Sequence, residues 1–65
     1  MQITLKAARV NANVTRKEAA KAVGVDPQTI GNWERGKTTP DIGEFHALCQ
    51  LYGVSMTYIK WVDLK

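Results

Sequence analysis

The chain has 65 residues, of which 45% are hydrophobic and 23% charged, with nine Lys and Arg against six Asp and Glu. That is enough for one domain around one small core, too apolar for a disordered chain, and without the run of roughly 18 apolar residues that a membrane helix needs. A single cysteine excludes an internal disulfide, and no cleavage site follows an apolar leader, so the chain is expected to be cytoplasmic. The net charge of +3 suits a polyanionic partner, but a solvated basic face is the commoner explanation of such a balance, and position has to decide between the two.

In chain order, Met1 to about Asn11 reads as a helix, because Leu5, Ala8 and Arg9 share one helical face, although Ile3-Thr4-Leu5 alone would pass for a strand. Asn11 to Asn13 breaks it, asparagine being able to bond its own backbone and to adopt the left-handed conformation. Thr15 and Glu18 then form a capping box with Val14 as its hydrophobic staple, which predicts a second helix over 16–23. Ala19, Ala20 and Val23 face inward and Arg16, Lys17 and Lys21 outward. Gly24 ends this helix.

Asp26 is a good N-cap and Pro27 a good first helical residue, since the donor that proline lacks would be unsatisfied there anyway. The third helix follows from Pro27 to Glu34, with Ile30 and Trp33 inward and Gln28, Gly31 and Asn32 turned to solvent. Arg35, Gly36 and Lys37 close it, and Thr38-Thr39-Pro40 forms a loop. A second capping signal, Asp41 with Glu44, opens a fourth helix through about Tyr52, with Ile42, Phe45, Leu48, Cys49 and Tyr52 as its apolar stripe. Gly53 stops it. Ser55 caps a last short helix over Met56 to Lys60, with Met56 and Ile59 inward, and Trp61 to Lys65 alternates like an extended arm. The expectation is a compact all-α fold of five short helices: one domain over 1–60 and a C-terminal tail over 61–65.

Between Arg16 and Arg35 the pattern is that of two short helices joined by a tight corner, a unit suited to entering a DNA major groove. Ala20 is small where the helices cross, Gly24 allows positive φ at the corner, and Val25, Ile30 and Trp33 lock one helix on the other. Thr15-Arg16-Lys17-Glu18-Ala19-Ala20, Val23-Gly24-Val25 and Thr29-Ile30-Gly31-Asn32-Trp33-Glu34-Arg35-Gly36-Lys37, with Pro40 and Tyr52-Gly53-Val54-Ser55, resemble the Xre, or Cro/cI-like, helix-turn-helix regulators over about Leu5 to Ile59. The resemblance implies a lambda-repressor-like domain in which helices two and three form the helix-turn-helix and helix three reads double-stranded DNA. It implies a transcriptional regulator that binds a pseudo-palindromic operator as a homodimer. It also implies a partly buried ion pair between Arg9 and Glu34.

Base contact is expected from Gln28 and Asn32, four apart on one helical face, each with an amide able to pair both edges of adenine. Pro27 would offer its ring to a thymine methyl group, and Gly31 would let backbone approach the bases. Phosphate contact is expected from Thr15 and Arg16 at the start of helix two, from Arg35, Lys37 and Thr38 beyond helix three, and from Thr29, for which an intrahelical bond is the alternative. Many relatives carry glutamine where this chain has Arg16. With Pro27 and Gly31 this departure means that no relative's operator transfers to it.

Other readings are weaker. Gln28 and Asn32 could be a plain solvated face; Trp33 could stack on a base, but its spacing from Ile30 puts it in the core. His46 and Cys49 lack further ligands for a metal, and no acid, base and nucleophile set suggests an enzyme, a cofactor or a small-molecule ligand. Trp61, Val62 and Leu64 either fold over the core or form the dimer contact. A chain that is little more than a DNA-binding domain points to a phage or prophage repressor associated with the bacterial nucleoid, acting by excluding RNA polymerase. Its rival is a helix-turn-helix module for protein contact, antitoxin-like or adaptor, that has lost groove reading.

Overall fold

The computed structural model describes residues 3–59, which form four α-helices and one 3₁₀ turn: α1 (Leu5–Asn11), α2 (Arg16–Val23), α3 (Pro27–Arg35), α4 (Ile42–Tyr52) and the turn Met56–Tyr58. The all-α class therefore holds among the described residues, but the fifth helix does not. Ser55 does cap the segment, its hydroxyl accepting from the Thr57 N–H, yet Ile59 returns to extended backbone after a single turn. The reason lies at the other end of the chain. Ile59 pairs with Ile3 in an isolated parallel bridge, and the Ile3 N–H donates to the Tyr58 carbonyl at 3.0 Å. The same bridge shortens the first helix, which begins at Leu5 with Thr4 as its cap. Ile3 is thus tied to the last segment instead of lying on α1.

The capping signals set the other boundaries. Thr15 Oγ1 accepts from the Glu18 N–H at 3.0 Å while Glu18 Oε1 accepts from the Thr15 N–H at 2.8 Å, and Asp41 and Glu44 repeat the arrangement at the start of α4. Each such cap contributes about 1 kcal/mol. Asp26 occupies the cap position of α3 but makes no side-chain cap bond, so α3 starts on the fixed φ of Pro27 alone. At the corner between α2 and α3, Gly24 has φ 85°, a conformation that costs any residue with a Cβ about 1 kcal/mol or more.

Leu5 and Ala8 of α1, Ala19 and Ala20 of α2, Ile30 and Trp33 of α3 and Phe45, Leu48, Cys49 and Tyr52 of α4 close the core together with Ile59. Val14, Val23, Val25 and Met56 are half-buried against it. The alanines of α2 let α3 pack close across them, which leaves the opposite side of α3 to solvent. One expected core position fails: Ile42 is 70% exposed. It is the first residue of α4, nearly a full turn before Phe45, and so lies beyond the end of the core that Phe45 begins. Lys60 and the tail 61–65, with the expected dimer residues Trp61, Val62 and Leu64, lie outside the described residues.

A candidate nucleic-acid interface on the third helix

Arg9 and Glu34 meet between α1 and the end of α3, with Arg9 Nε donating to Glu34 Oε2 at 2.6 Å and Nη2 to Oε1 at 3.4 Å. Arg9 Nη1 also donates to the Val14 carbonyl at 2.9 Å, so the same guanidinium closes the loop that leads into α2. That second contact has no signature in the sequence. The two side chains are only 10% and 4% exposed, which makes the pair a structural fastener that orients α3 from behind.

The outward side of α3 carries an open cleft of about 300 Å³ lined by Pro27, Gln28, Gly31 and Arg35, with Arg16 reaching across from the first turn of α2. Five of the ten residues expected at a DNA surface are thus gathered in one hollow. Pro27, Gln28, Arg16 and Arg35 are exposed, as the amphipathic pattern requires. Among the described residues no carboxylate lines the cleft and neither Arg16 nor Arg35 pairs with an acid. Two unneutralised guanidiniums therefore give this hollow a positive potential.

One expectation about the surface needs correcting. Gly31 is buried, not turned to solvent. A Cβ at this position would lie 3.3 Å from Arg35 Nη1 and 3.8 Å from Arg16 Nη1, so the two arginine heads roof the glycine. Its missing side chain makes room for guanidinium groups, and the helix backbone beneath them is covered. Asn32 is half-buried, and its Oδ1 accepts from Arg35 Nη2 at 2.8 Å. The three-residue spacing that allows this contact on a helix was available in the sequence.

The remaining expected residues are spread around the cleft. Thr15 is exposed, but its hydroxyl oxygen and its N–H are both engaged by Glu18. The backbone donors open to an anion at this helix start are thus those of Arg16 and Lys17. Thr29 is half-buried on the flank of α3, while Lys37 and Thr38 are exposed past its C-terminal end. Trp33 and Cys49 are buried in the core and His46 is exposed on α4, so neither an aromatic stacking face nor a ligand pair forms from them. Burial raises the Cys49 thiol above its ordinary range.

A rigid corner, a second helix fixed from behind by a buried ion pair, and an acid-free cleft on its outer side together define a helix-turn-helix domain. The chain belongs to the Xre-like helix-turn-helix family, whose model, described as "Helix-turn-helix", matches residues 5–59. It is 38% identical over 59 residues to the HTH-type transcriptional regulator ImmR of Bacillus subtilis strain 168, an alignment covering 91% of this chain and 46% of that protein. The chain thus spans about half the length of that relative. No solved structure gives a significant match.

Proposed function

We propose that this protein is a sequence-specific double-stranded DNA-binding transcriptional regulator that inserts α3 into the major groove. The observation that carries the reading is the acid-free cleft of Arg16, Pro27, Gln28, Gly31 and Arg35 on the exposed side of α3. An amide, a proline ring and two unpaired guanidiniums are groups that pair with base edges and phosphates, and nothing in the hollow repels a polyanion. Gln28 reads adenine. Arg16 holds a phosphate beside the start of α2, assisted by Thr15, and Thr29, Lys37 and Thr38 contact the backbone on either side.

The domain acts as a homodimer on a pseudo-palindromic operator. Its longest dimension is 27 Å, whereas successive major grooves on one face of DNA recur about every 34 Å, so one copy reads one half-site. The dimer contact is assigned to Trp61, Val62 and Leu64 in the 61–65 tail, and the effect on transcription to repression by occupancy of the operator.

Selection of bound sites from random DNA, followed by affinity measurements at two salt concentrations, tests the proposal. A preferred sequence with two-fold related halves, bound more weakly as salt rises and surviving competitor DNA, is the expected result. Binding without any sequence preference, or no binding, overturns it in favour of a protein-contact module.

A further inference from the structure

We infer that Arg35 is a base-reading residue that selects guanine, aimed by Asn32 and given room by Gly31. The inference rests on the DNA-reading function proposed above and changes the division of labour within it.

Arg35 occupies the last position of α3, from which a side chain directed past the helix end would meet the DNA backbone. Its guanidinium goes the other way. Nη1 lies over Gly31, one turn back toward the helix start, in the cleft that also holds Pro27 and Gln28. The head group therefore sits in the middle of the groove-facing surface, where a Cβ at position 31 would crowd it at 3.3 Å. Glycine at 31 gives the guanidinium this path without crowding.

The head is also held. Asn32 Oδ1 accepts one of its N–H groups at 2.8 Å, which restricts the plane of the guanidinium. A phosphate contact gains little from such a restriction, because phosphate oxygens accept from many directions. A two-bond contact with a planar base edge depends on it. After the bond to Asn32 the guanidinium keeps four of its five N–H donors and has no acceptor. In the major groove only guanine presents two adjacent acceptors, N7 and O6, so the partner is fixed by chemistry.

The same bond alters Asn32. The bond takes one of the two lone pairs of Oδ1 and fixes the amide plane, leaving the second lone pair and both N–H donors to face the groove.

The test uses the full chain and its Arg35→Ala and Arg35→Lys variants in selection from random DNA, with melting temperature as a control on folding. The parent should select a site with one fixed guanine in each half. Both variants should lose that guanine while keeping the positions set by Gln28, because lysine preserves the charge but not the planar fork. On a fixed site, replacing this guanine should weaken the parent about 5- to 150-fold and leave Arg35→Ala nearly indifferent. If Arg35→Ala still selects the guanine and binds all sequences more weakly with a shallower salt dependence, Arg35 is a phosphate contact and the inference fails. If the parent selects no sequence, it is the DNA-reading function itself that fails.

Discussion

Neighbouring residues of α3 serve two arginine sites of opposite character. Glu34 turns inward to Arg9, where a carboxylate and a backbone carbonyl take three of the guanidinium's donors in a nearly dry setting. Arg35 turns outward beside Arg16, where among the described residues no acid answers either charge and the Asn32 amide holds one of them. The first site has used its hydrogen-bonding capacity on the fold, whereas the second keeps most of it for something outside the molecule. A net charge of +3 says nothing of this division.

The comparison breaks most visibly at the inner site. Arg9→Ala or Glu34→Ala leaves the partner charge buried and unpaired, and should cost about 3–5 kcal/mol in urea unfolding. For a domain of this size that is a large share of total stability. An Arg9→Met, Glu34→Leu double variant should recover most of the loss, because two apolar side chains of similar volume need no partner. Equal losses for the single and double variants would mean that packing, not the buried charge, is what the singles remove.

At the outer site the expected effects are on DNA and not on folding. Gln28→Ala should leave the melting temperature nearly unchanged and remove about 1–3 kcal/mol of discrimination at one base position. Arg16→Ala should weaken binding to all sequences alike and flatten the dependence of log K on log salt by about 0.9, the signature of one phosphate. If Arg16→Ala instead changes which sequence is preferred, Arg16 belongs among the base readers.

The sequence made the helices and the core far more legible than the outer site, while the Arg9–Glu34 pair was expected only through the family resemblance. Caps written as Thr15 with Glu18 and Asp41 with Glu44, corners marked by Gly24 and Gly53, and the spacing of Ile30, Trp33, Phe45 and Leu48 are local signals, and each reappears in the fold. Contacts between distant residues were less visible. The pairing of Ile3 with Ile59 joins segments at opposite ends of the described chain, and it overrode the helical pattern at both. At the surface, outward position identified Gln28 correctly as exposed but misjudged Gly31. Burial there comes from long side chains folding back over the helix, which residue spacing does not encode.

Gly31→Ala sharpens the contrast because its effects on stability and on recognition should be opposite. Gly31 has ordinary helical backbone, and alanine in a helix interior is favoured over glycine by about 1 kcal/mol, so the variant should melt higher. The added methyl would meet Arg35 Nη1 at 3.3 Å, and the free end of a flexible side chain moves aside easily. The guanidinium then shifts by a few tenths of an ångström from its seat, and preference for the guanine should weaken although the protein is more stable. A variant that melts higher with its sequence preference intact would show that the seat over Gly31 does not matter for reading.

The smallest effect is confined to alkaline solution and belongs to the inner site. Burial and then the Glu34 carboxylate push the Tyr52 phenol up to about 12, with Cys49 adding to the rise and Arg9 opposing it. The unfolded chain releases this proton near its ordinary pKa of about 10, while the folded chain keeps it, so ionisation favours unfolding. Stability from this source is complete below about pH 10 and is lost as pH rises toward about 12. Tyr52→Phe has no proton to lose, and its urea midpoint should fall less over that interval than the parent's. Parallel declines would place the alkaline weakness elsewhere, and would mean that the phenol is not held in the neutral form by its burial and the nearby Glu34.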